Sequence, residues 1–265
     1  MSKPTLLFDL DGTLVDTDPL HFQAFCAMLG ECGGPEIDLA YYQKHVMGGG
    51  VRDIFARLMP QHTYAEHVGF AGRKEAIFRE MVATPPSGGG IGQNPKHGRG
   101  GAAGGAVTAA VTGSILQPTR GLLTLLDWAK SQAIRCGLVT NAPRENAGLM
   151  LEVLGIAQYF ETMVIAEELA HTKPHPLPYL TGLKELGVSA DTALAFEDSR
   201  SGVRAATAAG IRTVGIRSSL SDQALRDAGA AYAVTDFEDP VLWAELRAAA
   251  SGYRQVRETS VQNGG

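Results

Sequence analysis

Short apolar runs occur at the start of the chain and repeatedly in its second half, where segments with helical spacing of apolar residues separate them. The runs have the length and composition of buried strands, and they predict strands at 5–8, 135–140, 163–166, 193–196, 213–216 and 232–234. The amphipathic segments predict helices at 122–130, 143–154, 177–186, 202–209, 221–228 and 240–250. Because strands that alternate with helices are typical of βαβ units, the pattern predicts an α/β fold with a parallel sheet and helices on both faces.

The region that follows the first strand has a different pattern. Asp18 and Pro19 are typical of a helix start, and they predict a helix that extends to about Leu29. Between residues 36 and 82 the apolar residues recur at helical spacing, and we find no convincing strand pattern there. The chain is therefore expected to carry a helical insertion between its first and second strands.

Glycine is unusually frequent, with 32 residues, and part of this excess lies in one stretch. Residues 85–113 contain ten glycines, three prolines and no aromatic residue. Such a composition cannot bury enough apolar surface to order itself, so we expect a flexible linker. The stretch is either a tolerated surface insertion or an error in the gene model.

Composition and charge exclude several classes of protein. Hydrophobic residues make up 45% of the chain, which is enough for a sizeable core. The net charge of -5 argues against nucleic-acid binding, and no run of 18 apolar residues is present that would suggest a membrane span. Three cysteines without a CxxC pair indicate reduced thiols, and we find no targeting segment before the first strand. We therefore expect a cytoplasmic protein. We also expect a monomer or a weak dimer.

Four polar clusters each follow a predicted strand. They are Asp9-x-Asp11-x-Thr13, Thr140-Asn141, Lys173-Pro174 and Glu197-Asp198-Ser199. In parallel sheets, ligands bind outside the carboxyl ends of the strands, so these clusters are expected to converge. Carboxylates that converge repel one another unless a cation joins them, and hard oxygen ligands suit Mg²⁺. Carboxylates, Mg²⁺, a lysine and a hydroxyl group together favour phosphoryl transfer to or from a small phosphorylated substrate.

The four clusters, extended to Phe8–Thr17, Val139–Asn141, Lys173-Pro174 and Phe196–Ser199, resemble the four motifs of the haloacid dehalogenase superfamily in order and spacing. The closest likeness is to the subgroup that carries a helical cap after the first motif. That subgroup includes sugar phosphatases, phosphoglycolate-type phosphatases and β-phosphoglucomutase. The resemblance implies a Rossmann-like core and an inserted cap. The expected divisions are a core at 1–16 and 119–250, a cap at 17–84, a glycine-rich linker at 85–118 and a disordered tail at 251–265.

The resemblance also implies a role for each motif residue. Asp9 would be the nucleophile that attacks phosphorus, and Asp11 would be the general acid and base. Mg²⁺ would be held by the Asp9 carboxylate, the Asp11 carbonyl and Asp198, with Glu197 as a direct or water-mediated ligand. These carboxylates favour the phosphatase branch over the dehalogenases proper, which need no Mg²⁺.

The remaining implied contacts concern the substrate. Thr140 and Lys173 would bind the transferring phosphoryl group, with support from Asn141.

Three residues of the cap, His21, Arg52 and Lys74, would contact a phosphorylated, polyhydroxylated substrate. Each of the three also has a simpler interpretation, as a buried histidine or as a solvated charge.

Two other functions stay open at this stage. The first is a phosphosugar mutase similar to β-phosphoglucomutase, which must hold a second phosphate with a polar run after its second motif. In this chain Ala142 lacks a hydroxyl group at that run, although Arg144 offers a positive charge. The second is a catalytically idle scaffold whose cap binds a partner, and the intact set of motif residues argues against it.

Overall fold

The computed structural model describes residues 3–47, 49–84 and 116–262, with side chains described as far as residue 251. The glycine-rich stretch 85–113 therefore lies outside the described residues. The chain divides into two compact units. We call Met1–Asp16 together with Leu116–Gly265 the sheet unit, and Thr17–Ile115 the helical unit.

The sheet unit is built on six strands that are all parallel to their neighbours. They are β1 Thr5–Phe8, β2 Arg135–Thr140, β3 Thr162–Ile165, β4 Ala193–Glu197, β5 Arg212–Ile216 and β6 Tyr232–Val234. The strand order is β3-β2-β1-β4-β5-β6. Because crossovers are right-handed and the order reverses direction at β1, helices of the two halves lie on opposite faces of the sheet. The structure thus confirms the predicted α/β fold, and each strand lies within one residue of its predicted bounds.

Ten α-helices occur among the described residues. They are α1 Asp18–Cys32, α2 Leu39–His45, α3 Val51–Leu58, α4 Tyr64–Ala83, α5 Leu122–Ser131, α6 Arg144–Val153, α7 Leu177–Leu186, α8 Arg200–Ala208, α9 Asp222–Ala228 and α10 Pro240–Gln262. The first four form the helical unit, where no strand is found among the described residues, as the sequence pattern predicts. None of the described helices is both long and apolar enough to cross a membrane.

The end of the chain differs from expectation. We expected a disordered tail from residue 251, whereas α10 continues to Gln262. Residues 252–262 contain one glycine but no proline, and their two arginines, two glutamines and one glutamate are compatible with a helix. Residues 263–265 lie outside the described residues.

Alternation along β1 explains how the sheet is buried on both sides. Leu7 belongs to a core cluster with residues of α7 and α8, among them Tyr179 and Ala205. Phe8 points to the opposite face, where its ring stacks on Phe196 with 4.8 Å between the centroids. Both faces are therefore apolar, which is the pattern expected for a central parallel strand.

The strand order determines where a ligand can bind. β1 pairs with both β2 and β4, and the strands that follow β1 in the chain are added first on one side of it and then on the other. The crevice at such a switch point, outside the carboxyl ends of the strands, is the preferred ligand site of open α/β sheets. Any residues that follow β1 and β4 therefore lie beside this crevice.

Candidate active site

Three carboxylates meet at the carboxyl ends of β1 and β4. The register pairs Phe8 with Phe196, and the amide of Asp9 donates a hydrogen bond to the Phe196 carbonyl at 3.0 Å. This pairing brings Asp9 beside Glu197 and Asp198, and one oxygen of each carboxylate lies within 4.8 Å of the others. All three residues are buried, so their charges are concentrated in a region that water barely reaches.

Lys173, in the loop between β3 and α7, supplies a positive charge to this cluster. Its Nζ donates to Asp9 Oδ1 at 2.6 Å, to Glu197 Oε1 at 2.6 Å and to the Val139 carbonyl at 2.7 Å. An ammonium group has three donors, so all of them are engaged within the protein. Lys173 therefore holds two of the three carboxylates in a fixed geometry.

Burial and charge shift the pKa values of this pair. Burial raises the pKa of Asp9 to about 7, because desolvation disfavours the carboxylate; Lys173 opposes the shift and Glu197 adds to it. Burial lowers the pKa of Lys173, but the carboxylates of Asp9 and Glu197 outweigh this effect and hold the pKa above its ordinary value. The cluster thus keeps Lys173 charged, but one positive charge does not compensate for three carboxylates. A bound cation would supply the missing positive charge.

Tyr179, on α7, is a member of the site that the sequence reasoning missed. Its hydroxyl group donates to Glu197 Oε1 at 2.5 Å, and the side chain is fully buried. Burial and then the Glu197 charge raise its pKa well above the ordinary value, so the hydroxyl remains a donor. The sequence signal for this contact is a tyrosine at a buried position of a predicted helix. Because a buried hydroxyl group requires a hydrogen-bond partner, such a tyrosine indicates a polar contact in the core.

The second carboxylate oxygen of Glu197, Oε2, indicates whether this cluster suits a metal ion. Oε2 is buried and accepts no hydrogen bond from any residue that the structure describes. A buried carboxylate oxygen without a partner is costly, and a cation would compensate for it. The donor set of Asp9, Glu197 and Asp198 consists of oxygen atoms alone, which suits a hard divalent cation. The residues present therefore fit a divalent metal ion.

Two features position Asp198. The Ser218 hydroxyl group, which follows β5, donates to Asp198 Oδ2 at 2.9 Å. Gly12 has a φ of 75°, and a Cβ atom added there would lie 2.1 Å from the same oxygen. Glycine at position 12 therefore serves both the turn after β1 and the close approach of Asp198.

The remaining motif residues lie near the same edge of the sheet. Asp11 is half-buried in the turn that the Gly12 amide closes on the Val15 carbonyl at 2.8 Å, and its carboxylate is not one of the three that converge. Thr140 is buried at the end of β2, and its Oγ1 accepts a hydrogen bond from the Ala142 amide at 2.9 Å.

The loop of Lys173 is tied to the end of β2. Asn141 Oδ1 accepts a hydrogen bond from the Lys173 amide at 3.3 Å. The polar residues that follow β2 and β3 are therefore linked to each other directly.

The helical unit brings two of its three candidate residues together. Lys74 Nζ lies 2.7 Å from His21 Nδ1 and donates to Glu75 Oε1 at 2.9 Å. A charged lysine offers donors only, so His21 Nδ1 accepts and the ring proton is on Nε2. The ring of His21 also stacks on Phe78, with centroids 4.2 Å apart. His21 is therefore fixed both in orientation and in tautomer.

Arg52, the third candidate, takes a different position. Its guanidinium carbon lies 4.8 Å from the centroid of the Tyr64 ring. His21, Lys74 and Glu75 line a cavity of about 280 Å³ inside the helical unit, whereas Arg52 is not among the residues that line it. The structure thus groups the histidine with the lysine and leaves the arginine on an exposed aromatic ring.

Comparison with protein families gives one match over most of the chain. The model of the haloacid dehalogenase-like hydrolases matches residues 3–210. This range includes all four polar clusters and the whole helical unit.

Individual relatives agree with this match. A phosphorylated carbohydrates phosphatase of Thermotoga maritima is 30% identical over 232 residues, which cover 85% of this chain and 91% of that protein. A phosphoglycolate phosphatase of Pseudomonas putida is 28% identical over 211 residues, covering 80% and 68% respectively. Among solved structures, a β-phosphoglucomutase from Clostridium difficile has a TM-score of 0.69 at 20% identity and covers 95% of this chain and 99% of that one. This last likeness concerns the fold alone.

Proposed function

Because the chain belongs to the haloacid dehalogenase-like hydrolases, we propose that it is a phosphatase that hydrolyses a small phosphorylated metabolite of the sugar phosphate class. The observation that carries this proposal is the buried cluster of Asp9, Glu197 and Asp198, with Lys173 in contact at the switch point of the sheet. The names of two relatives, both phosphatases of small phosphorylated compounds, support the same reaction class.

In the proposed reaction, Asp9 is the nucleophile. One oxygen of its carboxylate bonds to phosphorus while the ester bond breaks, and Asp11 gives its proton to the leaving alcohol oxygen. Water then attacks the phosphorus of the aspartyl-phosphate, Asp11 takes the proton from that water, and the bond to Asp9 breaks to release phosphate. The hydrogen bond from Lys173 to Asp9 Oδ1 supports this role, because it holds the carboxylate while leaving Oδ2 for attack.

We propose Mg²⁺ as the cofactor, held by the carboxylates of Asp9, Glu197 and Asp198 and by the Asp11 carbonyl group. When bound, this ion supplies positive charge that lets anionic oxygens approach one another. The carboxylate geometry and the partnerless Oε2 of Glu197 support this assignment.

Substrate binding is proposed for both units. In the sheet unit, Thr140, Asn141 and Lys173 would bind the phosphoryl group. Lys173 would act through its positive charge, because its three donors are engaged by Asp9, Glu197 and the Val139 carbonyl. The Thr140 hydroxyl accepts from a backbone amide, so its own proton can be donated.

In the helical unit, His21, Arg52 and Lys74 would select the rest of the substrate. The polar side of the cavity that contains His21 and Lys74 supports a hydroxylated ligand. We further propose a cytoplasmic location, which the three free cysteine thiols support.

The test is release of inorganic phosphate from a panel of sugar phosphates and p-nitrophenyl phosphate, with Mg²⁺ and with a chelator. We expect release only with Mg²⁺, and we expect Asp9→Asn to abolish it. Asp191→Asn is the matched control, because this exposed aspartate precedes β4 at the opposite edge of the sheet. Asp11→Asn is expected to form the phosphoenzyme but to release little phosphate.

Two outcomes would contradict the proposal. Folded wild-type protein that releases no phosphate from any ester would overturn the phosphatase function. An Asp9→Asn variant that retains more than trace activity would overturn the assignment of the nucleophile.

A further inference from the structure

Arg144 and Glu168 form a two-pronged ion pair at the carboxyl edge of the sheet. Arg144 Nε donates to Glu168 Oε1 and Nη2 donates to Oε2, each at 2.6 Å. Arg144 is the first residue of α6, just beyond β2, and Glu168 lies three residues beyond β3. Since β2 and β3 are neighbours in register, with Thr140 opposite Ile165, the pair joins the turns that follow these two strands.

This placement matters for the choice of substrate. Ligands of open parallel sheets lie outside the carboxyl ends of the strands, and Arg144 begins α6 directly after the three-residue turn that follows Thr140. A guanidinium group binds phosphate best through two parallel N–H groups. In this protein, two such groups of Arg144 are already engaged by the carboxylate of Glu168.

The charge at this position is therefore compensated. A phosphate that approached Arg144 would either compete with Glu168 for Nε and Nη2 or use the N–H groups that this pair does not engage, and in both cases it would lie close to a carboxylate of the same sign. Either arrangement gains little, because Glu168 already compensates the charge of Arg144. A substrate with a single phosphate, bound at the carboxylate cluster, does not need a contact with Arg144.

We propose that Glu168 is a specificity-determining residue, which occupies Arg144 and thereby disfavours substrates that carry a second phosphate. This inference rests on the proposed phosphatase function and deepens it, since it assigns the site to monophosphates. It also gives a structural reason why Arg144 would not bind a second phosphate in the way that a mutase requires.

The experiment compares two competitors against hydrolysis of p-nitrophenyl phosphate by the full chain with Mg²⁺. These are glucose 6-phosphate and glucose 1,6-bisphosphate, and the quantity measured is the ratio of their inhibition constants. Glu168→Gln keeps the size of the side chain and removes its charge. Both partners of the pair are half-exposed, so the variant is expected to fold.

A second ion pair, at the other ends of β2 and β3, provides the matched control. Arg135, the first residue of β2, donates through Nε to Glu161 Oε2 at 2.8 Å, at the amino edge of the sheet. Glu161→Gln removes the same charge from a similar surface pair, but at the edge away from the carboxylate cluster.

We expect Glu168→Gln to shift the ratio in favour of the bisphosphate by roughly fivefold, the effect of one unit charge at close range in water. Glu161→Gln should leave the ratio unchanged, and the double variant Arg144→Gln, Glu168→Gln should return it to the wild-type value. The shift should also shrink as salt is added, because the groups are exposed.

The inference is overturned if the bisphosphate competes no better against Glu168→Gln than against wild type, while p-nitrophenyl phosphate is still hydrolysed. It is equally overturned if the gain survives in the double variant, since Arg144 would then not be the group responsible. Failure of the proposed function gives a different result, because the wild-type protein would not hydrolyse p-nitrophenyl phosphate at all.

Discussion

Gly202 lies so close to the Glu197 carboxylate that a Cβ atom added to it would stand 1.8 Å from Oε2. Glu197 is fully buried and is held at its other oxygen by Lys173 and Tyr179. Any larger residue at position 202 must therefore displace a carboxylate of the proposed metal site. The absence of a side chain on the third residue of α8 is what makes room for it.

We predict that Gly202→Ala lowers Mg²⁺ affinity or kcat/KM by about 10–100-fold, the usual effect of disturbing the surroundings of a metal ligand. The measurement is a Mg²⁺ titration of phosphatase activity. Gly148→Ala is the matched control, because Gly148 is also helical and an added Cβ would meet nothing within 4 Å. Equal activity in the two variants would show that Glu197 tolerates the displacement.

Tyr179→Phe should destabilise the sheet unit, because it removes a buried hydrogen bond to a charged group. We expect the free energy of unfolding to fall by about 2 kcal/mol, measured by urea denaturation. Tyr159→Phe is the control, since Tyr159 donates to Asp127 on the surface of the same unit. If the free energy of unfolding falls equally in both variants, burial does not strengthen the contribution of the Tyr179 hydrogen bond.

Ser218→Ala should weaken metal binding without unfolding the protein. Loss of the hydrogen bond to Asp198 Oδ2 removes one restraint on the orientation of that carboxylate, so we expect about a tenfold higher Mg²⁺ requirement. Ser219→Ala, at the exposed neighbouring position, should behave like wild type. A Mg²⁺ requirement that is identical in the two variants would exclude Ser218 from the support of the site.

The N-terminus of α4 should lose stability in acid. Hydrogen bonds from the Thr63 amide and hydroxyl, both 2.7 Å long, lower the pKa of Glu66 to about 2, with a smaller contribution from His62. A carboxylate whose pKa is depressed by folding stabilises the folded state above its unfolded pKa, and this contribution is lost as the pH falls through the folded pKa.

We therefore expect wild type to have a higher Tm than Glu66→Gln near neutral pH. The difference should shrink as the pH falls from about 5 towards 2, because Glu66 becomes protonated first in the unfolded chain and only near pH 2 in the folded protein. Glu36→Gln, at another exposed glutamate of the helical unit, should show no comparable difference in Tm. A Tm difference between wild type and Glu66→Gln that is constant across this pH range would contradict the assignment.

Much of the site was accessible from the sequence because the sheet is parallel. Asp9, Thr140, Lys173 and Glu197 could be placed at one edge from the order of strands and helices alone, and the strands confirm that placement. The roles of these residues rest on motif resemblance, and they stay predictions.

The local pattern of this sequence determines its elements, since strand and helix periodicities and turn glycines act over a few residues. It also determines which polar residues follow which strands. Only the tertiary structure decided that β1 lies between β2 and β4, that Tyr179 contacts Glu197, and that Glu168 occupies Arg144. The physical reason is that these contacts join residues that are distant along the chain. Packing and charge in three dimensions determine these contacts, and the local periodicity of the sequence does not predict them.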